Sequence, residues 1–206
     1  MKVTLGLIAL NVIAYLWSSV TGESFFTGFA NDRALVDHGA LFGPLVAQGE
    51  WWRIFTAGFL HQGILHIGLN MLALFMVGRL VEMLMGPIRM TILYFTALFG
   101  SGLAVVWFSF DLPTLGASGA IFGLFGALIA IGLQLGKPGR ALIGQVFPVI
   151  VINLLFGFSV PGISNAAHIG GLISGFLAGL VIFMTVPRRV AAAEAEVEPW
   201  VAAEPK

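Results

Sequence analysis

Residues 114–123 have the sequence TLGASGAIFG, and the interpretation of the whole chain depends on them. The stretch contains glycine, alanine and apolar residues, with the hydroxyl of Ser118 in the middle. Small residues of this kind let two helices approach closely inside a membrane. Taken alone, the stretch leaves two interpretations open: Ser118 is a packing residue, or it is a nucleophile.

The composition around this stretch is that of an integral membrane protein. The chain has 206 residues, of which 58% are hydrophobic and 10% are charged, and its mean hydropathy is +0.98. A soluble domain carries roughly 25% charged residues. The net charge is zero, so nothing points to nucleic acid as a partner. The absence of cysteine excludes disulfides, a thiolate nucleophile and a Cys-ligated metal.

Six apolar runs approach the length of about 20 residues that a helix needs to cross a bilayer. The backbone in lipid must satisfy its own hydrogen bonds, and no stretch alternates like a barrel strand. The sequence therefore predicts an all-α membrane protein, a bundle of six transmembrane helices. The predicted spans are residues 4–20, 64–84, 90–110, 116–135, 142–158 and 166–186.

These spans make residues 1–186 a single transmembrane core and leave residues 187–206 as a polar, Ala/Glu-rich tail. The long first loop, at about residues 21–63, contains the adjacent Trp51 and Trp52. Tryptophan favours the headgroup layer, so part of this loop is expected in the membrane interface.

The distribution of lysine and arginine predicts the orientation. Of the ten Lys and Arg residues, only Arg33 and Arg53 fall on the side of the long loop. Cytoplasmic loops carry the excess of these residues. Both termini are therefore expected in the cytoplasm, and the long loop is expected outside.

Five polar residues lie at one depth of the predicted bundle. The second, fourth and sixth helices all run from outside to inside, so their first residues share the outer leaflet. These residues are His61, His66 and Asn70 in the second helix, Ser118 in the fourth and His168 in the sixth. Polar residues within a membrane are costly, which makes them candidates for function.

Glycines follow both Ser118 and His168 at helical spacing. If the two glycine faces meet, the serine and the histidine come together at the top of the contact. The glycines on the fourth helix are Gly119, Gly123 and Gly126, and those on the sixth helix are Gly171, Gly175 and Gly179.

That meeting would produce a catalytic pair. A serine hydroxyl is a poor nucleophile until a base accepts its proton, and histidine suits this task. No carboxylate lies near Ser118 or His168 in the sequence, so the pattern predicts a Ser–His dyad rather than a triad. His66, Asn70 and the backbone N–H of Ser118 are the candidate donors to a developing oxyanion.

Four segments then resemble the rhomboid intramembrane serine proteases, over about residues 41–179. They are GEWWR, HQGILHIGLNM, GASGAIFG and NAAHIGGLISG, in this order. The resemblance implies hydrolysis of a peptide bond within or near the transmembrane segment of a membrane-protein substrate. It assigns Ser118 as nucleophile, His168 as general base and then acid, and His66, Asn70 and the Ser118 amide as the oxyanion hole. No metal or cofactor is implied.

The resemblance also assigns supporting residues. Gly116 occupies the first position of the G-x-S-G pattern, and Trp52 and Arg53 match a motif that supports the first loop. Phe122 stands where many rhomboids carry a tyrosine that stacks on the histidine, so the ring is kept and the phenol hydroxyl is lost. His61 either supports the site or stabilises the loop. The fifth helix and the loop before the sixth are expected to gate the access of substrate.

Further expectations concern the cellular location and the alternative functions. A compact six-helix chain resembles the bacterial or archaeal plasma-membrane form, with its active site open to the outer side. Oligomeric state and natural substrate are not encoded in any feature of the sequence. One rival is an inactive rhomboid-like protein that binds membrane clients. Another is a small transporter or channel, but the sequence lacks the internal repeat and midplane charge often seen in that class. A histidine metal site is disfavoured because His61 and His66 lack i,i+4 spacing.

Overall fold

The computed structural model describes residues 1–21, 26–27, 32–160 and 162–186, so the predicted tail lies outside the described residues. Within them, six helices are long and apolar enough to cross a membrane, and no strand forms. The prediction of an all-α bundle of six transmembrane helices is confirmed. The spans are α1 (Lys2–Val20), a second span (Gly63–Met85), α7 (Pro87–Phe108), α8 (Ser118–Leu135), α9 (Gly139–Ser159) and α10 (Asn165–Phe183).

The remaining helices are short or interrupted. The first loop contains α2 (Asp32–Asp37), α3 (Gly43–Ala47) and α4 (Arg53–Thr56). The second span is made of α5 (Gly63–Ala73), a π-helical turn (Leu74–Gly78) and α6 (Arg79–Met85). A π turn inserts one extra residue into a helix, and the hydrophobic pattern of this span gives no sign of it.

The observed helix boundaries differ from the predicted ones by a few residues. The third span begins at Pro87 rather than at residue 90, because proline is favoured in the first helical turn, where its missing N–H would have no partner. Gly86, with a φ of +80°, makes the turn before it. The sixth span ends at Phe183 rather than at residue 186.

The centre of the bundle is α8, most of which is buried, whereas α9 faces outward along most of its length. Helix α10 packs against α8 at glycines of both helices. A Cβ added to Gly171 would overlap the carbonyl oxygen of Gly119, and one added to Gly175 would overlap that of Gly123. The two backbones therefore touch directly, and this contact sets the distance between the first residues of α8 and α10.

Glu82 in α6 fixes the other end of the bundle. Its carboxylate accepts hydrogen bonds from the backbone N–H groups of Val3 (3.1 Å) and Thr4 (2.8 Å) and from the Thr4 hydroxyl (2.6 Å). An acidic group at a helix N-terminus satisfies amides that have no partner within the helix. Glu82 thereby holds α1 against the second span.

Candidate active site

The loop before α8 is shaped by Gly116. This residue has a φ of +114°, which residues with a side chain rarely adopt, and its N–H donates to the carbonyl of Ala57 at 2.8 Å. A Cβ at this position would lie 2.9 Å from the ring of His66. Both the backbone conformation and the space therefore require glycine two residues before Ser118.

Ser118 and His168 are in direct contact. Ser118 is the first residue of α8, and His168, a buried residue, lies within the first turn of α10. The Ser118 Oγ and the His168 Nε2 are 3.0 Å apart, which is hydrogen-bond distance. The N-cap of α10 is Ser164, whose hydroxyl accepts from the N–H of Ala167 at 3.2 Å and starts the helix.

The ring of His168 is held by stacking. Its centroid lies 4.1 Å from that of Phe122, with an angle of 5° between the two planes. Its Nδ1 is buried and has no hydrogen-bond partner among the described residues. For Nε2 to accept the hydroxyl proton, the neutral ring must carry its own proton on Nδ1. Stacking and the contact with Ser118 therefore orient this imidazole, and no carboxylate of the described residues bonds to it.

His66 presents an N–H toward the site. Its Nδ1 lies 3.1 Å from the backbone nitrogen of Gln62, which donates to it. A neutral imidazole that accepts at Nδ1 carries its proton on Nε2, so the hydrogen bond with Gln62 assigns the tautomer. The Nε2 atom is on the side of Gly116, where an added Cβ would lie 3.0 Å from it. The Nε2–H is thus a donor close to Ser118.

Asn70 lies one turn below His66 on α5, and both line the cavity that contains Ser118. Its amide nitrogen donates to the His66 carbonyl at 2.9 Å. An amide nitrogen carries two hydrogens, so one remains for a group bound in the cavity.

His61 is completely buried beneath this part of the site. Its ring packs edge-on against that of His66, with centroids 5.1 Å apart, and its Nε2 lies 3.5 Å from the backbone nitrogen of Ala117. Burial, followed by the proximity of His66, lowers the pKa of His61 from 6.5 to about 3. His61 is therefore neutral near pH 7 and contacts the loop next to Ser118.

The first loop is organised by Arg53. Its guanidinium is buried, donates to Glu50 at 2.7 Å and to the carbonyls of Val36 (2.6 Å) and Ala40 (3.0 Å), and lies over the ring of Trp52. The loop also joins the segment before α8 through a short two-residue bridge, in which Leu41 and Thr114 exchange both backbone hydrogen bonds at 2.9 Å. Arg53 and Trp52 thus lie in the loop that pairs with the segment before α8 and outside the cavity lining.

A cavity of about 250 Å³ contains the Ser118 and His168 side chains. His66 and Asn70 also line it, as does Phe122. The described part of the chain contains no group of three or more His, Asp or Glu side chains that could hold a metal ion.

Two further polar residues of this cavity, one on α7 and one on α9, have no role in the sequence-based prediction. Ser101 on α7 is buried, and its hydroxyl lies against Gly119. The triplet Gly100–Ser101–Gly102 is a signal of close helix packing that would have pointed to it. Asn153 on α9 is the other residue, and its place within an apolar span was the available signal.

Comparison with known proteins shows the family to which the chain belongs. The model of the Rhomboid domain family matches residues 48–185. Rhomboid protease GluP of Bacillus subtilis is 42% identical over 176 residues, which cover 85% of this chain and 34% of GluP. RHOMBOID-like protein 1 of Arabidopsis thaliana is 38% identical over 144 residues, 68% of this chain and 36% of that protein.

A third relative is named as inactive. Inactive RHOMBOID-like protein 8 of Arabidopsis thaliana is 35% identical over 139 residues, 66% of this chain and 39% of that protein. The chain thus spans between 34% and 39% of the length of these three relatives. With the family model matched over most of the chain and six membrane-spanning helices, the chain is an integral membrane protein that belongs to the rhomboid family.

Proposed function

We propose that this chain is an intramembrane serine endopeptidase. It hydrolyses a peptide bond within or near the transmembrane segment of a membrane-protein substrate, by means of a Ser118–His168 dyad. The observation that carries the proposal is the distance of 3.0 Å between the Ser118 Oγ and the His168 Nε2, in a cavity that also presents His66 and Asn70. The resemblance of the chain to Rhomboid protease GluP supports the same activity.

In the first half of the reaction, the Ser118 Oγ attacks the scissile carbonyl carbon while its proton moves to the His168 Nε2. The tetrahedral intermediate collapses when the C–N bond breaks, and His168 returns the proton to the leaving amine. In the second half, a water molecule gives its proton to His168 and attacks the acyl-enzyme ester. Collapse of that intermediate releases the carboxylic acid and restores the Ser118 hydroxyl.

The negative charge of each intermediate is stabilised by donors already in place. The Nε2–H of His66, the free amide hydrogen of Asn70 and the backbone N–H of Ser118 form the proposed oxyanion hole. The N-terminus of α8 adds its partial positive charge. Removal of one such donor typically lowers kcat by about 10²- to 10³-fold.

The proposal extends to the setting of the reaction. Residues 1–186 form the peptidase core, with both termini in the cytoplasm and the site open to the outer side of a plasma membrane. Substrates are membrane proteins whose transmembrane segment reaches Ser118 from the bilayer. The absence of a metal or cofactor requirement stays a prediction.

The second candidate function is that of an inactive rhomboid-like protein that binds membrane clients. It is favoured by the 35% identity to Inactive RHOMBOID-like protein 8. The contact between Ser118 and His168 favours the peptidase, because client binding alone requires no such pair.

The test is cleavage of a single-span membrane protein by the purified chain in liposomes, followed by mass spectrometry of the products. Ser118→Ala and His168→Ala are each expected to lower kcat by about 10³-fold or more. The matched controls are Ser19→Ala on α1 and His38→Ala in the first loop, which lie outside the cavity lining and should keep full activity. Cleavage that survives in Ser118→Ala would exclude the mechanism. Binding of the single-span protein without cleavage would support the client-binding function.

A further inference from the structure

We propose that Asn153 on α9 binds the substrate backbone. Its side chain would accept a hydrogen bond from an N–H group in the part of the substrate's transmembrane helix that unwinds for cleavage. The proposal rests on the peptidase function above. Asn153 and Val149 are the two residues that α9 contributes to the lining of the cavity around Ser118, and of these Asn153 alone has a polar side chain. The proposal adds a contact from α9 to those that α5 contributes.

The amide of Asn153 is oriented by its own helix. Its Nδ2 donates to the carbonyl of Val149 at 2.8 Å. This bond uses the donor side of the amide and leaves Oδ1 without a hydrogen bond to any described residue. Asn153 is also exposed, so the oxygen is accessible from the cavity and from the surrounding membrane. It is a fixed acceptor on an otherwise apolar surface.

Its distance from the helix end is similar to that of Asn70, one of the proposed oxyanion donors. Asn153 lies six residues before the end of α9 at Ser159, which is about 9 Å along the helix. Asn70 lies seven residues after the start of α5 at Gly63, or about 10 Å along that helix. Residues 162–164, which follow α9, line the same cavity as the start of α5, so both depths are measured from the same end of the bundle.

A substrate needs such an acceptor. A transmembrane helix satisfies its backbone hydrogen bonds internally, and unwinding it to expose a scissile carbonyl frees N–H groups in an apolar medium. An unpaired N–H there is unfavourable until it finds an acceptor. Among the other side-chain oxygens of the cavity wall, the Ser164 hydroxyl already accepts from Ala167, whereas those of Asn70, Ser101 and Thr114 belong to other elements than α9. The Asn153 Oδ1 remains available.

The experiment combines a variant with a backbone substitution in the substrate. A synthetic single-span peptide is prepared in versions that replace one backbone amide at a time, outside the scissile bond, by an ester without an N–H. We expect Asn153→Leu to lower kcat/KM for the unmodified peptide by about threefold to tenfold. One ester position should lower kcat/KM to a similar extent in the wild type and have no further effect in Asn153→Leu, as a double-mutant cycle requires.

The controls separate substrate contact from structural support. Gln145→Leu makes the same kind of change on α9 at an exposed position outside the cavity, and it should leave the ester pattern of the wild type intact. The reaction of Ser118 with a small fluorophosphonate and the melting temperature should not change in Asn153→Leu. If leucine lowers the melting temperature, Asn153→Ala replaces it in the same cycle.

Two results would overturn the proposal. One is that each ester substitution lowers kcat/KM by the same factor in the wild type and in the Asn153 variant, which would exclude a hydrogen bond from the substrate backbone to this residue. The other is slower fluorophosphonate labelling in that variant, which would indicate support of Ser118 instead. Either can occur while cleavage still depends on Ser118. Failure of this inference is therefore distinct from failure of the peptidase function, which would appear as activity in Ser118→Ala.

Discussion

The contact between α8 and α10 predicts that one methyl group on the packing face will disable the site. Gly171 lies three residues after His168, and an added Cβ there would overlap the carbonyl oxygen of Gly119, the residue after Ser118. Because backbone atoms cannot rotate away, the helices must separate by roughly 1 Å. The distance of 3.0 Å between the Ser118 Oγ and the His168 Nε2 would then grow to about 4 Å, beyond hydrogen-bond reach.

The expected effects of Gly171→Ala follow from that separation. Overpacking lowers the free energy of unfolding by about 1–3 kcal/mol. A displacement of about 1 Å between reacting groups lowers kcat by about 10²-fold. The assay is the rate of fluorophosphonate labelling and of peptide cleavage, with the melting temperature measured in the same detergent.

A matched variant isolates the cause. Gly68→Ala on α5 adds the same methyl group where no heavy atom lies within 4 Å of the new Cβ, so activity and stability should be close to those of the wild type. Wild-type labelling and cleavage in Gly171→Ala would refute the argument that this glycine contact positions the dyad.

Three further predictions concern the stacking ring, the buried acid and the buried histidine. Phe122→Ala removes the ring stacked on His168 and should lower kcat while KM changes little. Phe122→Tyr should be tolerated. An inactive tyrosine variant would show that the pocket is built differently. Glu82→Gln removes the charged acceptor of the first amides of α1 and should lower the free energy of unfolding by about 1–3 kcal/mol in a denaturant titration, with no change in stability as the contrary result. The lowered pKa of His61 means that, between pH 6.5 and about 3, the unfolded chain binds a proton that the folded chain does not. The melting temperature should therefore decrease as the pH is lowered through this range, and it should decrease less steeply in His61→Gln. An equal dependence of the melting temperature on pH in the two proteins would contradict the lowered pKa of His61.

The sequence predicted the features that depend on local pattern. Six apolar runs of sufficient length predicted the spans, and their alternating direction put Ser118 and His168 at one depth. The glycines after each of them indicated which helix faces meet. These inferences succeed because helix length, direction and face follow from residues close together in the chain.

The features that the sequence did not predict depend on long-range contacts. The bond between Glu82 and the first turn of α1 joins residues 78 positions apart, and no local pattern indicates it. The π turn at Leu74–Gly78 is equally hidden, because one extra residue barely changes an apolar stripe. Asn153 is a polar residue within an apolar span, but only the packing of α9 decides whether it faces the cavity or a neighbouring helix.

The most direct test of the dyad is the chemical identity of the activated serine. The purified chain is treated with a fluorophosphonate, digested and analysed by mass spectrometry, in parallel with His168→Ala. A phosphonate adduct is expected on Ser118 alone, formed about 10²- to 10⁴-fold more slowly in the histidine variant. Modification of other serines at the same rate, or labelling of Ser118 that does not depend on His168, would contradict it.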